Sequence, residues 1–191
     1  IVASLVGSEM CIRDRNPGAP VTAVMMVYDK PPFAVIGRKS RGVSGPGDLE
    51  GSVLGAPPPD GAWAQFPSFA KANGIDISKV KVEPVGFPTR EPMLAEGKVD
   101  SVTGFSFSSY LNLVRLGVPE EDISTILMAD YGLKLYGNAV IVNTDYAKNN
   151  SDMVKKFLVA IGAGWRDAIK DPKAAACLLY TSDAADERNR G

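Results

Sequence analysis

Three short segments gather the side chains able to hold a small molecule: APPPDGA over Ala56–Ala62, FPTRE over Phe87–Glu91 and TGFSFSS over Thr103–Ser109. Each falls where a strand should hand over to a helix. Backbone N–H groups and the positive ends of helix dipoles then face outward beyond the sheet, which suits capture of a polar solute. Asp60, Gly61 and Ala62 offer backbone donors and one carboxylate; Thr89 and Arg90 stand at the next helix start; Thr103, Gly104 and Phe105 form a third wall. Each has a structural alternative. Asp60 can be only an N-cap, Arg90 a solvated charge, and Phe105 a core residue.

The chemistry open to these residues is narrow. The 191 residues contain no histidine. That excludes Ser–His–Asp and Cys–His hydrolases, H-E-x-x-H zinc sites and imidazole acid–base work near neutral pH. GPGDLEG, over Gly45–Gly51, lacks the third glycine of a dinucleotide fingerprint, and no P-loop lysine follows it. A formal net charge of −1 provides no field for a nucleic-acid partner. The longest apolar run, Val21–Tyr28, is far short of the ~20 residues of a membrane helix. Binding without turnover, without cofactor and without metal is the expectation.

The two ends read differently from the middle. IVASLVGSEMCIRDR (1–15) and CLLYTSDAADERNRG (177–191) resemble translated sequencing-adapter read-through and are expected to be foreign to the fold. The first lacks a basic region ahead of its apolar start and is a poor secretory signal. Cys11 and Cys177 both fall in these strings, so no disulfide is read from the cysteine count.

Between them, strands and helices alternate. Pro20–Tyr28, Phe33–Gly37, Ser52–Ala56, Val80–Val85, Val99–Gly104, Ile123–Ala129 and Asn138–Val142 read as strands. Asp60 caps a helix closed by Gly74, with Pro67 forcing a kink or a late start. Thr89 caps Arg90–Glu96, stopped by Gly97, and Ser106–Leu116 carries Phe107, Tyr110, Leu111 and Val114 as its apolar face. Ser151 caps the last helix, whose stripe is Val154, Phe157, Leu158, Ile161, Trp165 and Ile169, and Asp171-Pro172 ends it. The spacing predicts βαβ units, a parallel helix-covered sheet and the α/β class.

GPGDLEGSVLGAP, then Gly74–Asp76, EPMLAEGKVDSVTGF, YGNAVIVN and KKFLVAIGAGWRDAIKDPKAA follow one order. In that order they resemble the solute-binding proteins of bacterial ABC importers, in the taurine, alkanesulfonate and thiamine-precursor group. The resemblance implies a type II periplasmic-binding-protein fold: two α/β lobes, a cleft and two hinge strands, here truncated at its N-terminal side. On that template 16–38 is a remnant of lobe 1 ending in hinge strand Phe33–Arg38, and 39–137 is lobe 2. Residues 138–176 then hold the second hinge strand, Asn138–Asn143, and helices packing on lobe 1. Tyr28 and Asp29 would line the cleft from the first lobe, or merely end a strand, with Tyr136 and Asn138 near the hinge.

The resemblance further implies a monomer in the periplasm, with a signal peptide on the full-length gene, that hands a small solute to an inner-membrane permease. Arg90 with helix N-termini favours a sulfonate or taurine-like anion; Asp29, Asp60 and Phe105 favour a pyrimidine thiamine precursor. Two rivals share the fold. A thiamine-pyrimidine synthase needs a histidine and a cysteine cluster absent from Asn16–Ala176. A LysR-type effector domain lacks the order of LAEGKVD (Leu94–Asp100) and its following strand.

Overall fold

The computed structural model describes residues 20–178, so the expectations for 1–15 and 179–191 lie outside the described residues. Along the chain run β1 (Val21–Met26), β2 (Phe33–Arg38), β3 (Val53–Ala56), α1 (Gly61–Ala72), β4 (Lys81–Pro84) and α2 (Arg90–Ala95). Then follow β5 (Ser101–Phe105), α3 (Ser106–Arg115), β6 (Ile123–Leu127), β7 (Ala139–Asn143), α4 (Thr144–Asn149) and α5 (Ser151–Lys170). Two units are formed, one by Met26–Ala139 and one by residues 20–25 with 140–178.

The larger unit is built on a five-stranded sheet of order β4-β3-β5-β2-β6. Strand β3 lies parallel to both β4 and β5, as helical crossover connections allow. Strand β2 runs antiparallel to β5 on one side and β6 on the other, Val35 facing Thr103 and Ile126. The sheet is therefore mixed rather than parallel. Phe33–Arg38, expected as a hinge strand, is an interior strand of this sheet whose first five residues are buried. An apolar run buried on both faces reads the same in either direction, so its partners could not be told from the run itself.

Alternation along β2 sorts the core onto the two faces of the sheet. Phe33 and Val35 join Leu49, Leu54, Phe66, Phe69 and Ile126 under α1. Ala34 and Ile36 join Leu94, Val99, Val102 and Leu113 under α2 and α3. At the end of β2, Arg38 Nε donates to Asp122 Oδ2 at 2.7 Å, and the Ser40 backbone N–H donates to Asp122 Oδ1 at 2.7 Å. The Ser40 N–H above all, then its hydroxyl and Arg38, hold the Asp122 carboxyl below the usual carboxylate range.

Helix α1 is continuous from Gly61 through Pro67 to Ala72, so it neither starts late nor stops at the proline. Pro67 is on the exposed face, where its ring meets solvent. In α3 the buried residues are Ser109 and Leu113, while Phe107 and Leu111 are 50% and 56% exposed. Of the face assigned to the core from the sequence, Tyr110 and Val114 pack against the core and Phe107 and Leu111 do not.

The smaller unit carries β1 paired with β7, then α4 and α5. Helix α4, absent from the sequence reading, is capped by Asn143 Oδ1, which accepts from the N–H groups of Asp145 and Tyr146 at 3.0 Å each. Asn150, not Ser151, occupies the N-cap of α5. The forecast stripe is present, but no residue of α5 is buried: Val154, Leu158 and Ile161 are half-buried and Ile169 is 74% exposed.

Candidate functional site

Three helix starts meet at the C-terminal ends of β3 and β5. The turn after β3 ends in Asp60, which stays extended so that its side chain can turn back: Oδ1 accepts from Ala62 N at 3.3 Å, capping α1. Oδ2 accepts from Thr103 Oγ1 on β5 at 2.7 Å. Arg90, the first residue of α2, reaches the same place, its Nη1 3.7 Å from Asp60 Oδ2. Its Nε and Nη2 donate to Oε1 of Glu91 at 2.9 and 2.7 Å, and Nη2 also to Ser109 Oγ at 3.2 Å. Ser109 Oγ donates in turn to Glu91 Oε1 at 2.7 Å. Asp60, Arg90 and Glu91 are each more than nine-tenths buried. Charges taken this far from water persist only where paired and hydrogen-bonded, and these are.

Gly104 makes the arrangement possible. A Cβ there would strike Ser109 Oγ and come within 3.1 Å of Arg90 Cζ, so a side chain would push the guanidinium off the strand end. Phe105 stands beside it in an aromatic row, its ring centroid 5.9 Å from Phe33 and 6.0 Å from Phe107. Phe107, half exposed, carries that row to the surface. Phe87 lies under Arg90, 5.7 Å from guanidinium carbon to ring centroid.

The structure therefore brings Asp60, Gly61, Ala62, Arg90, Thr103, Gly104 and Phe105 together, and four of the expected residues, Ala62, Thr89, Arg90 and Thr103, change role. The N–H of Ala62 and the hydroxyl of Thr103 are taken by Asp60, so neither is an open donor. Thr89 precedes α2 but does not cap it with its side chain; its Oγ1 bonds the backbone of Gly86 instead. Arg90 is a buried ion-pair member rather than a solvated charge. Tyr28 and Asn138 form a second place: the N–H groups of Val27 and Tyr28 donate to Asn138 O, at 2.7 and 3.4 Å, and Gly137 N donates to Tyr28 O at 3.1 Å. Asn138 Oδ1 is buried there without a partner among the described residues. Asp29 and Tyr136 are exposed, Tyr136 at 75%. Glu91 and Ser109 were missed by the reading of the sequence. Adjacent residues at a helix start normally diverge, and the only signal was Ser109 at four-residue spacing from the apolar Leu113.

A family model described as NMT1/THI5 like matches residues 4–175. The chain belongs to the NMT1/THI5-like family. In this family setting, the riboflavin-binding protein RibY of Chloroflexus aurantiacus is 27% identical over 162 residues, covering 84% of this chain and 45% of that protein. The periplasmic aliphatic sulphonate binding protein SsuA from Escherichia coli superposes with a TM-score of 0.68 at 14% identity, over 87% of this chain and 56% of that one. A sulfonate-binding SsuA from Methylobacillus flagellatus gives 0.67 at 17% identity, over 90% and 51%. At these identities the likeness establishes the fold, that of periplasmic binding proteins. The NMT1/THI5-like chain spans about half the length of the relatives it matches.

Proposed function

We propose that this chain is part of the substrate-binding component of an ABC importer, that it captures a small polar solute in the periplasm, and that an inner-membrane permease receives it. The carrying observation is the convergence of three helix starts and the Asp60–Arg90–Thr103 set at the strand ends of a periplasmic-binding-protein fold. Tyr28 and Asn138, and the exposed Asp29 and Tyr136, complete the set of residues assigned to the solute. Binding there needs no bond to be made or broken.

The same geometry supports a nitrogen heterocycle over a sulfonate. Two of the three guanidinium nitrogens of Arg90 are spent on Glu91 and Ser109. The third, Nη1, stands 3.7 Å from a carboxylate oxygen of Asp60. A donor beside an acceptor matches a ring edge that offers an acceptor beside an N–H, with Phe105 and Phe107 available to the ring face. A sulfonate has only acceptors and would meet the Asp60 carboxylate.

Thermal shift of the purified chain with 4-amino-5-hydroxymethyl-2-methylpyrimidine, riboflavin, taurine and ethanesulfonate tests this. A heterocycle should raise the melting temperature and be recovered chemically unchanged, and Phe105→Ala should weaken its effect. A shift by the sulfonates alone removes the heterocycle reading; turnover of any of the four removes the binding-protein reading.

A further inference from the structure

Glu91 is 4% exposed, yet only half of its carboxylate is used. Oε1 accepts three hydrogen bonds, two from Arg90 and one from Ser109, while Oε2 accepts none among the described residues. The buried side-chain polar atoms without a partner among the described residues are Ser101 Oγ and Asn138 Oδ1, so Oε2 is not sealed from solvent. Glu91 itself lines a groove of ≈ 350 Å³ beside α2 and α3, walled by Phe87, Pro88, Pro92 and Leu116, with Asn112 and Arg115 as its other polar residues.

The charges around that groove are unbalanced in a way that selects a ligand. Asp60 and Glu91 bring two carboxylates into a cluster with the single guanidinium of Arg90. One negative charge is left over in a nine-tenths buried setting, where an uncompensated charge is expensive. An ammonium seated on Oε2 would offset it. Arg115, exposed on the last turn of α3, takes part in no ion pair among the described residues and can meet an anion. A cation site, an anion site and an apolar wall thus border one groove.

We propose that this groove binds a zwitterionic amino acid with an apolar side chain. Its ammonium donates to Glu91 Oε2, its carboxylate accepts from Arg115 and the Asn112 amide, and its side chain lies against Phe87, Pro92 and Leu116. The site is not among those assigned to the transported solute, and it does not rest on the transport role.

Calorimetric titration of the full 191-residue chain with L-leucine, 3-methylbutylamine and 4-methylpentanoate tests the proposal. Leucine should bind at least about tenfold more tightly than either singly charged analogue. Arg115→Met and Asn112→Ala, both at exposed positions, should each weaken leucine about tenfold with an unchanged circular dichroism spectrum. Phe105→Ala should leave leucine affinity intact. No heat at about 10 mM leucine, equal affinity for the three compounds, or full affinity in Arg115→Met overturns the groove as an amino-acid site. So does loss of leucine binding in Phe105→Ala with retention in Arg115→Met, because it moves the ligand to the loop face.

Discussion

The guanidinium of Arg90 lies across Gly104 so closely that a methyl group on that residue would come within 3.1 Å of Cζ and 3.2 Å of Nη1. Backbone and buried ion pair are thus fitted to each other, and neither can change alone. Gly104→Ala should destabilise the larger unit by about 1–3 kcal/mol through overpacking. A urea midpoint equal to wild type would show that Arg90 can step aside at no cost.

The pairing of Arg90 with Glu91 gives a second expectation. Glu91→Ala leaves the buried guanidinium with Ser109 Oγ and the Asp60 carboxylate at 3.7 Å but without its closest counter-charge, and should cost about 3 kcal/mol. Glu91→Gln keeps one acceptor and should cost less. The double variant Arg90→Met/Glu91→Met should be less damaging than the sum of the two single changes, since it leaves one buried charge of the cluster, the Asp60 carboxylate held by Thr103 Oγ1 and Ala62 N, rather than stranding Glu91 as well. Additive losses in a urea double-mutant cycle would contradict the pairing.

Asp122 sets a pH dependence. Its carboxyl is held below the usual range, first by the Ser40 N–H and further by the Ser40 hydroxyl and Arg38. A folded-state value depressed below the unfolded one contributes stability above the unfolded value and loses it as pH falls through the folded one. The stability difference between wild type and Asp122→Asn should therefore be full at neutral pH and shrink below about pH 4. A difference that stays constant from pH 7 to about pH 3 would count against the Ser40–Asp122–Arg38 contact.

Pro67 offers a stabilising change. It sits inside α1 on an exposed face, where it gives the helix no N–H for the carbonyl one turn earlier. Pro67→Ala restores that bond without disturbing the core, and the net gain should be about 1 kcal/mol after the greater freedom of the unfolded chain is counted. A lower thermal midpoint would mean that the ring supports the helix in a way its exposure does not suggest.

Local signals read well from the sequence, and pairings did not. Asp60 as a cap, the glycine stops at Gly74 and Gly97, and the parallel β3, β4 and β5 all follow from turn chemistry and spacing within two consecutive βαβ units. The loops that converge were named for the same reason: in such units the strand ends and helix starts share one edge of the sheet. Strand β2 was found where the sequence put it, but its antiparallel pairing was not legible because its partners come from distant parts of the chain, and burial on both faces erases the alternation that would orient it. The docking face of α3 was half legible: Tyr110 and Val114 pack on the core as their apolarity suggests, whereas Phe107 and Leu111 stay exposed and polar Ser109 is buried to complete an ion cluster. Thr103 was legible as a polar residue at a strand end, but not as a donor already claimed by Asp60.

The interior seat of β2 has a practical bearing on how this protein can be dissected. Severing the polypeptide after Arg38 would not liberate a self-sufficient module: it would pull an inner rung out of the ladder and leave β5 and β6 with raw edges. Edges of that kind recruit other chains. Any attempt to isolate the larger half must carry the amino-terminal arm from Met26 onward, and a library of fragments should turn insoluble abruptly once the cut passes Phe33.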